Sequence, residues 1–145
     1  MKKVLLAVAG ILVMAGAIIF YSEFRTVNFV DAFLANPEEL ADKVHGVTIW
    51  GEGDDDVSFE ALATFNPTNE NYDEILAALS EWEVKRTLFQ EIDYTNLYKL
   101  DIANNAQPMN PFDIKVTSDG MMNIHGKEYK LVSGSSIEEL IDMAK

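Results

Sequence analysis

IKVTSDGMMNIHGKEYKLVSGSSIEELIDMAK, residues 114–145, decides the fold class. Ile114 and Val116 alternate with Lys115 and Thr117, the period of two of a strand with one covered face. Ser118-Asp119-Gly120 supplies a tight turn, Asp-Gly being the preferred pair for a two-residue hairpin loop. Met121 to Ile124 returns, His125-Gly126-Lys127 turns again, and Tyr129 to Val132 runs back. Ser136 and Glu139 then have the spacing of a capping box, opening a helix with Ile137, Leu140, Ile141 and Ala144 inside and Lys145 at its negative end. Strands joined by turns this short must pair antiparallel.

The preceding residues fit the same scheme. Glu83 to Phe89, with Lys85 and Arg86, reads as a strand, and Tyr94 to Ala103 contains another. Asn104 to Pro111 is a loop, because its prolines and asparagines build neither ladder nor helix. Asn71 to Trp82 is the main helix. Asn71 and Glu74 have capping-box spacing, and Tyr72, Ile75, Leu76, Leu79 and Trp82 share one face. Before it, Val47 to Trp50 and Val57 to Phe65 read as a hairpin around the acidic turn Glu52 to Asp56. Val57, Phe59, Ala61, Ala63 and Phe65 alternate with Ser58, Glu60, Leu62 and Thr64 and are expected on one covered face. Asn36 to Gly46 reads as a short capped helix with Leu40, Ala41 and Val44 on its apolar side, and Phe29, Val30, Phe33 and Leu34 show helical spacing.

The other decisive stretch is VLLAVAGILVMAGAIIFY, Val4 to Tyr21, uncharged and directly behind Lys2 and Lys3. Eighteen helical residues cover roughly 27 Å, just short of a hydrocarbon core of about 30 Å. The two lysines favour a cytoplasmic N-terminus, leaving the remaining chain outside. Two readings stand side by side. One is an uncleaved signal anchor, a single-pass span whose partner is the lipid bilayer through residues 4–21. The other is a signal peptide cut after Ala17, in the Ala15-Gly16-Ala17 triplet, which releases a secreted protein. Ile18 to Tyr21 prolong the apolar helix through the cleavage point and favour the anchor.

The expected organisation is therefore α+β: an N-terminal transmembrane helix, then one mainly antiparallel sheet with helices packed on one face. Residues 1–21 form the anchor or signal peptide, 22–46 a membrane-proximal helical segment, and 47–145 the extracytoplasmic domain. Of 145 residues, 124 follow Tyr21, enough for one modest core. Without Lys2 and Lys3, nine of the 11 basic residues remain against 24 acids, a formal charge of −15. Such a domain repels nucleic acid and anionic lipid headgroups and suits an acidic, soluble surface in the cell envelope. Cysteine is absent, which removes disulfides, thiolate catalysis, thiolate metal sites and lipidation at a signal-peptide junction together.

Candidate chemistry is sparse. Glu52, Asp54, Asp55 and Asp56 are the densest carboxylate cluster and the candidate metal ligands. EF-hand spacing fails: counting from Asp54, the sixth position is Phe59 instead of Gly and the twelfth is Phe65 instead of Glu. A solvated turn accounts for the cluster better. His45 and His125, each beside a glycine, are expected at exposed turns, and neither belongs to a nucleophile or zinc motif. Ser133-Gly134-Ser135-Ser136 is explained by capping better than by anion binding. No catalytic residue and no cofactor is assigned.

Lys115 to Lys145, through Asp119-Gly120 and Gly126-Lys127-Glu128-Tyr129, together with Tyr72 to Phe89, resembles small exported, membrane-associated proteins of Gram-positive bacteria. Those families are uncharacterised, and the resemblance implies location without supplying active-site residues. The functional expectation is a membrane-anchored extracytoplasmic binding or protein-interaction domain, with an envelope protein as its partner. The alternatives are a small extracytoplasmic hydrolase or metal-dependent enzyme, and a secreted inhibitor or folding accessory.

Overall fold

The computed structural model describes residues 2–33, 44–52, 58–88, 96–104 and 112–145. Among them are four helices, α1 (Lys2–Phe24), α2 (Phe29–Phe33), α3 (Tyr72–Ser80) and α4 (Ile137–Asp142). The strands are β1 (Thr26–Asn28), β2 (Val44–Glu52), β3 (Phe59–Phe65), β4 (Glu83–Arg86), β5 (Leu97–Asn104), β6 (Phe112–Thr117), β7 (Met121–Ile124) and β8 (Lys127–Ser133). All eight join one antiparallel sheet in the order β1-β4-β8-β7-β6-β5-β2-β3. The fold is α+β. The expected helix over 36–46 and loop over 104–111 fall largely outside the described residues, as do Asp54, Asp55, Asp56 and Val57.

The meander β5 to β8 forms the middle of the sheet, and its turns follow from local chemistry. At Ser118-Asp119-Gly120 the loop has three residues rather than two. Gly120 alone takes positive φ, 81°, and its N–H donates to Thr117 O at 2.9 Å. The buried Thr117 hydroxyl accepts from Met121 N at 3.0 Å and bonds the Asp119 carboxylate, so the polar side chain inside the turn is satisfied. His125 and Gly126 both have positive φ, 52° and 76°, the signature of a type I′ two-residue hairpin.

Buried strand residues line up in rows across neighbouring strands. Ile49 faces Leu100, which faces Ile114; Val116 faces Met122, which faces Tyr129. These residues form one cluster with Phe29 and Val30 of α2, Tyr72, Ile75 and Leu79 of α3, Trp82, and Ile137 and Leu140 of α4. The opposite parity carries Trp50, Lys99, Lys115, Asn123 and Glu128, each the register partner of the next. The expected stripe of α3 is buried at Tyr72, Ile75 and Leu79, with Trp82 just past the helix end.

Several local expectations give way to tertiary contacts. Asn71 precedes α3 but its side chain does not cap it; the amide donates to Met143 O and ties the end of α4 to the start of α3. Ser136 and Glu139 do form the capping box. Ala144 lies beyond α4 and is exposed. Val44 belongs to β2 rather than to a helix, and Tyr72 Oη donates to its carbonyl at 2.6 Å.

The strand Phe59–Phe65 pairs with β2 as a hairpin, yet its alternation breaks at Leu62. Ile49 faces Ala63 and Trp50 faces Ala61, so Leu62 is an extra, bulged residue. Ala63 and Phe65 are buried, whereas Phe59 and Ala61 are exposed on the other parity. The expected single apolar face is thus half right. Gly51 accommodates the bulge, since a Cβ there would lie 2.5 Å from Leu62 Cδ1.

Residues 26–33 join the sheet and core. Thr26, Val27 and Asn28 pair with Lys85, Val84 and Glu83, and Phe29 N donates to Trp82 O at 2.8 Å. Asn28 acts twice: its amide donates to Ser80 O at 2.6 Å, and its Oδ1 accepts from Val30 N at 2.9 Å, capping α2. The Phe29 and Trp82 rings pack edge to face at 5.1 Å.

Candidate functional site at the junction of helix and sheet

The helix α1 has 23 residues and no described side chain of it is buried before Phe24, which is half-buried. Leu6–Phe24 is long and apolar enough to cross a membrane or to serve as a signal sequence. A single residue, Arg25, separates α1 from β1. Because β1 pairs with β4, the last turn of α1 lies against the end of β4. Arg86 of β4 forms an ion pair with Glu23 and lies over the Phe24 ring, 5.5 Å from its centroid.

An open cleft of about 820 Å³ lies in this corner, lined by Phe20, Tyr21, Phe24, Arg25, Thr26, Lys85, Arg86 and Leu88. Aromatic rings form the side contributed by α1, and cations from α1's exit and β4 form the other. Among the described residues, Arg25 and Lys85 have no ion-pair partner. Lys85 stands directly opposite Lys130 of β8, a like-charge pair across adjacent strands. Tyr129, next to Arg86, has its phenol pKa raised: burial is the main cause, Arg86 opposes it and Glu23 adds to it.

The residues singled out in the sequence lie elsewhere. Glu52 is exposed at the end of β2, and Asp54, Asp55 and Asp56 are outside the described residues. Among the described residues no group of three His, Cys, Asp or Glu side chains is placed to hold a metal. His45 is exposed in β2 at a bulge, not at a turn: Val44 faces Asn104 and Gly46 faces Ala103, with His45 the extra residue. His125 is exposed in its type I′ turn. At Ser133–Ser136 the Ser136 hydroxyl and backbone N–H are both engaged by Glu139, in agreement with capping.

On the parity that avoids the core, Trp50 Nε1 donates to Asp101 Oδ2 at 2.8 Å. Lys99 Nζ stands 3.3 Å from Asp101 Oδ1, close enough for charge attraction but off the hydrogen-bonding direction. This group braces β2 against β5 and presents an indole edge and an ammonium to the surface.

The cleft escaped the sequence reading because Arg25 and the Lys85-Arg86 pair are remote in the chain. Their charges were visible, but the pairing of β1 with β4 that brings them together was not. Comparison with protein-family models, with curated proteins and with solved structures finds no match to this chain.

Proposed function

We propose that this chain is a membrane-anchored extracytoplasmic interaction domain, with α1 retained as a single-pass anchor and its N-terminus in the cytoplasm. In this reading the helices cover one face of the sheet. The other face, with Trp50, Lys99, Lys115, Asn123 and Glu128, is offered to an envelope protein. The observation that carries the reading is the uncovered apolar surface of α1 continuing without a linker into a paired strand. Cleavage after Ala17 would leave Ile18, Ile19, Phe20 and Tyr21, exposed by 70%, 64%, 58% and 74%, as an apolar stub on a soluble protein. Retention keeps them in lipid.

Two measurements test the proposal. The full-length product is expected in the membrane fraction after alkaline carbonate washing; recovery of a form beginning at Ile18 in the medium would overturn the anchor. A photo-crosslinking residue at Lys115 is expected to trap a discrete protein adduct in intact cells, and one at Ala77 is not. Purified chain that hydrolyses a peptide, glycan or ester while Lys115 traps nothing would replace the interaction reading with an enzymatic one.

A further inference from the structure

We infer that the cleft between the end of α1 and β4 binds the phosphate headgroup of an anionic phospholipid, and so seats the sheet domain on the membrane. The inference rests on α1 being embedded. A 19-residue span covers roughly 28 Å, so Phe20, Tyr21 and Phe24 reach the interface, where aromatic rings are favoured. Arg25 and Lys85 then stand at headgroup level.

Net charge argues the other way, since a domain at −15 is repelled by an anionic surface. Position decides between them. At physiological ionic strength exposed charges are screened over about 8 Å, so remote acids contribute little at the cleft. Locally, Arg25, Lys85 and Arg86 line the site, Lys130 lies across from Lys85, and Glu23 is engaged with Arg86; Glu83 and Glu128 lie two residues along from Lys85 and Lys130 on the same face, outside the cleft lining. Like charges directly opposite on adjacent strands destabilise a sheet, and an anion held at Lys85 offsets its repulsion with Lys130. Arg86, fixed by Glu23 and Phe24, forms the rigid wall, while Arg25 and Lys85 supply uncommitted donors. Phe20, Phe24 and Leu88 give the acyl-chain end of a lipid an apolar surface, which inorganic phosphate does not use.

The test uses the full-length chain in nanodiscs of mixed phosphatidylglycerol and phosphatidylcholine, with retained lipids identified by native mass spectrometry. Phosphatidylglycerol is expected to be enriched over its bulk fraction. Arg25→Gln and Lys85→Gln should each lower the enrichment about fivefold, following the usual contribution of one juxtamembrane cation. Lys145→Gln, exposed past the end of α4 and outside the cleft, should leave it unchanged. Equal enrichment in the wild type and the Arg25→Gln/Lys85→Gln double variant overturns the inference. So does binding of millimolar inorganic phosphate that displaces the lipid, which would make the site one for free anions. Insertion without any lipid preference sinks this inference alone, whereas a chain that never inserts sinks the anchor on which it rests.

Discussion

Gly134 takes φ of +113° just before α4, and a Cβ at this position would lie 2.4 Å from Trp82 Cδ1 and 3.2 Å from its Cα. Neither the backbone conformation nor the indole can yield cheaply, because Trp82 is fully buried against Phe29. Gly134→Ala is therefore expected to cost about 2–4 kcal/mol, read as a lower urea midpoint. An unchanged midpoint would show that Trp82 moves aside. Three tyrosines give a second prediction at this scale. Burial raises the phenol pKa of Tyr72, Tyr98 and Tyr129, with added repulsion from Asp73 at Tyr72 and from Glu138, which also bonds the phenol, at Tyr98. A raised folded-state value means the neutral phenol is the form that stabilises. The contribution is complete below the unfolded value of about 10 and is lost as pH rises from there through the folded values. Urea midpoints measured between pH 8 and 11 should be level at first and fall above about pH 10. A level profile up to pH 11 would contradict the assignment.

Elements were legible in the sequence where their cause is local. The turn at His125-Gly126, the capping box at Ser136 and the stripe of α3 all depend on residues a few positions apart. The stripe gives a direct contrast: Ile75→Ala is expected to cost about 2–5 kcal/mol and exposed Ala77→Ser about 0.5 kcal/mol or less, measured by chemical denaturation. Similar losses at the two sites would place α3 outside the core. What stayed hidden depends on distant partners. Thr26–Asn28 is too short to announce itself, and is a strand because Glu83 to Lys85 lie beside it. The bulges at Leu62 and His45 are equally silent, since an alternating apolar run looks the same whether or not one residue slips. Asn71 has the composition of a cap and serves instead as a brace to Met143, a choice that only the packing of α4 explains.

On the scale of the whole molecule, the apolar residues fall into two groups, those buried in the sheet domain and those exposed along α1, which the proposed anchor would place in lipid. Within α1, Leu12 and Val13 are exposed by 67% and 71%, so the protein core owes them nothing. Leu12→Lys/Val13→Lys should cost the span about 5–7 kcal/mol of insertion and move the chain from the carbonate-resistant membrane fraction to the soluble one. Near-UV circular dichroism of the sheet domain is expected to keep its thermal midpoint. A drop in that midpoint would mean that α1 folds back onto the domain. The long apolar helix was readable from composition alone, while the basic cleft at its end needed the pairing of β1 with β4.

That pairing also sets a mechanical condition. With Arg25 as the sole residue between helix and strand, a domain anchored as proposed has no slack with which to wander from the bilayer. Pulling on it loads β1 against β4 and Phe29 against Trp82 before anything else. The far edge, β3, stands seven strand spacings from β1, roughly 34 Å. Under the proposed anchoring, that edge is kept at a set distance from the membrane helix, in the manner of a bracket rather than a leash. Flexible residues inserted after Arg25 would abolish this spacing while leaving both the anchor and the fold intact.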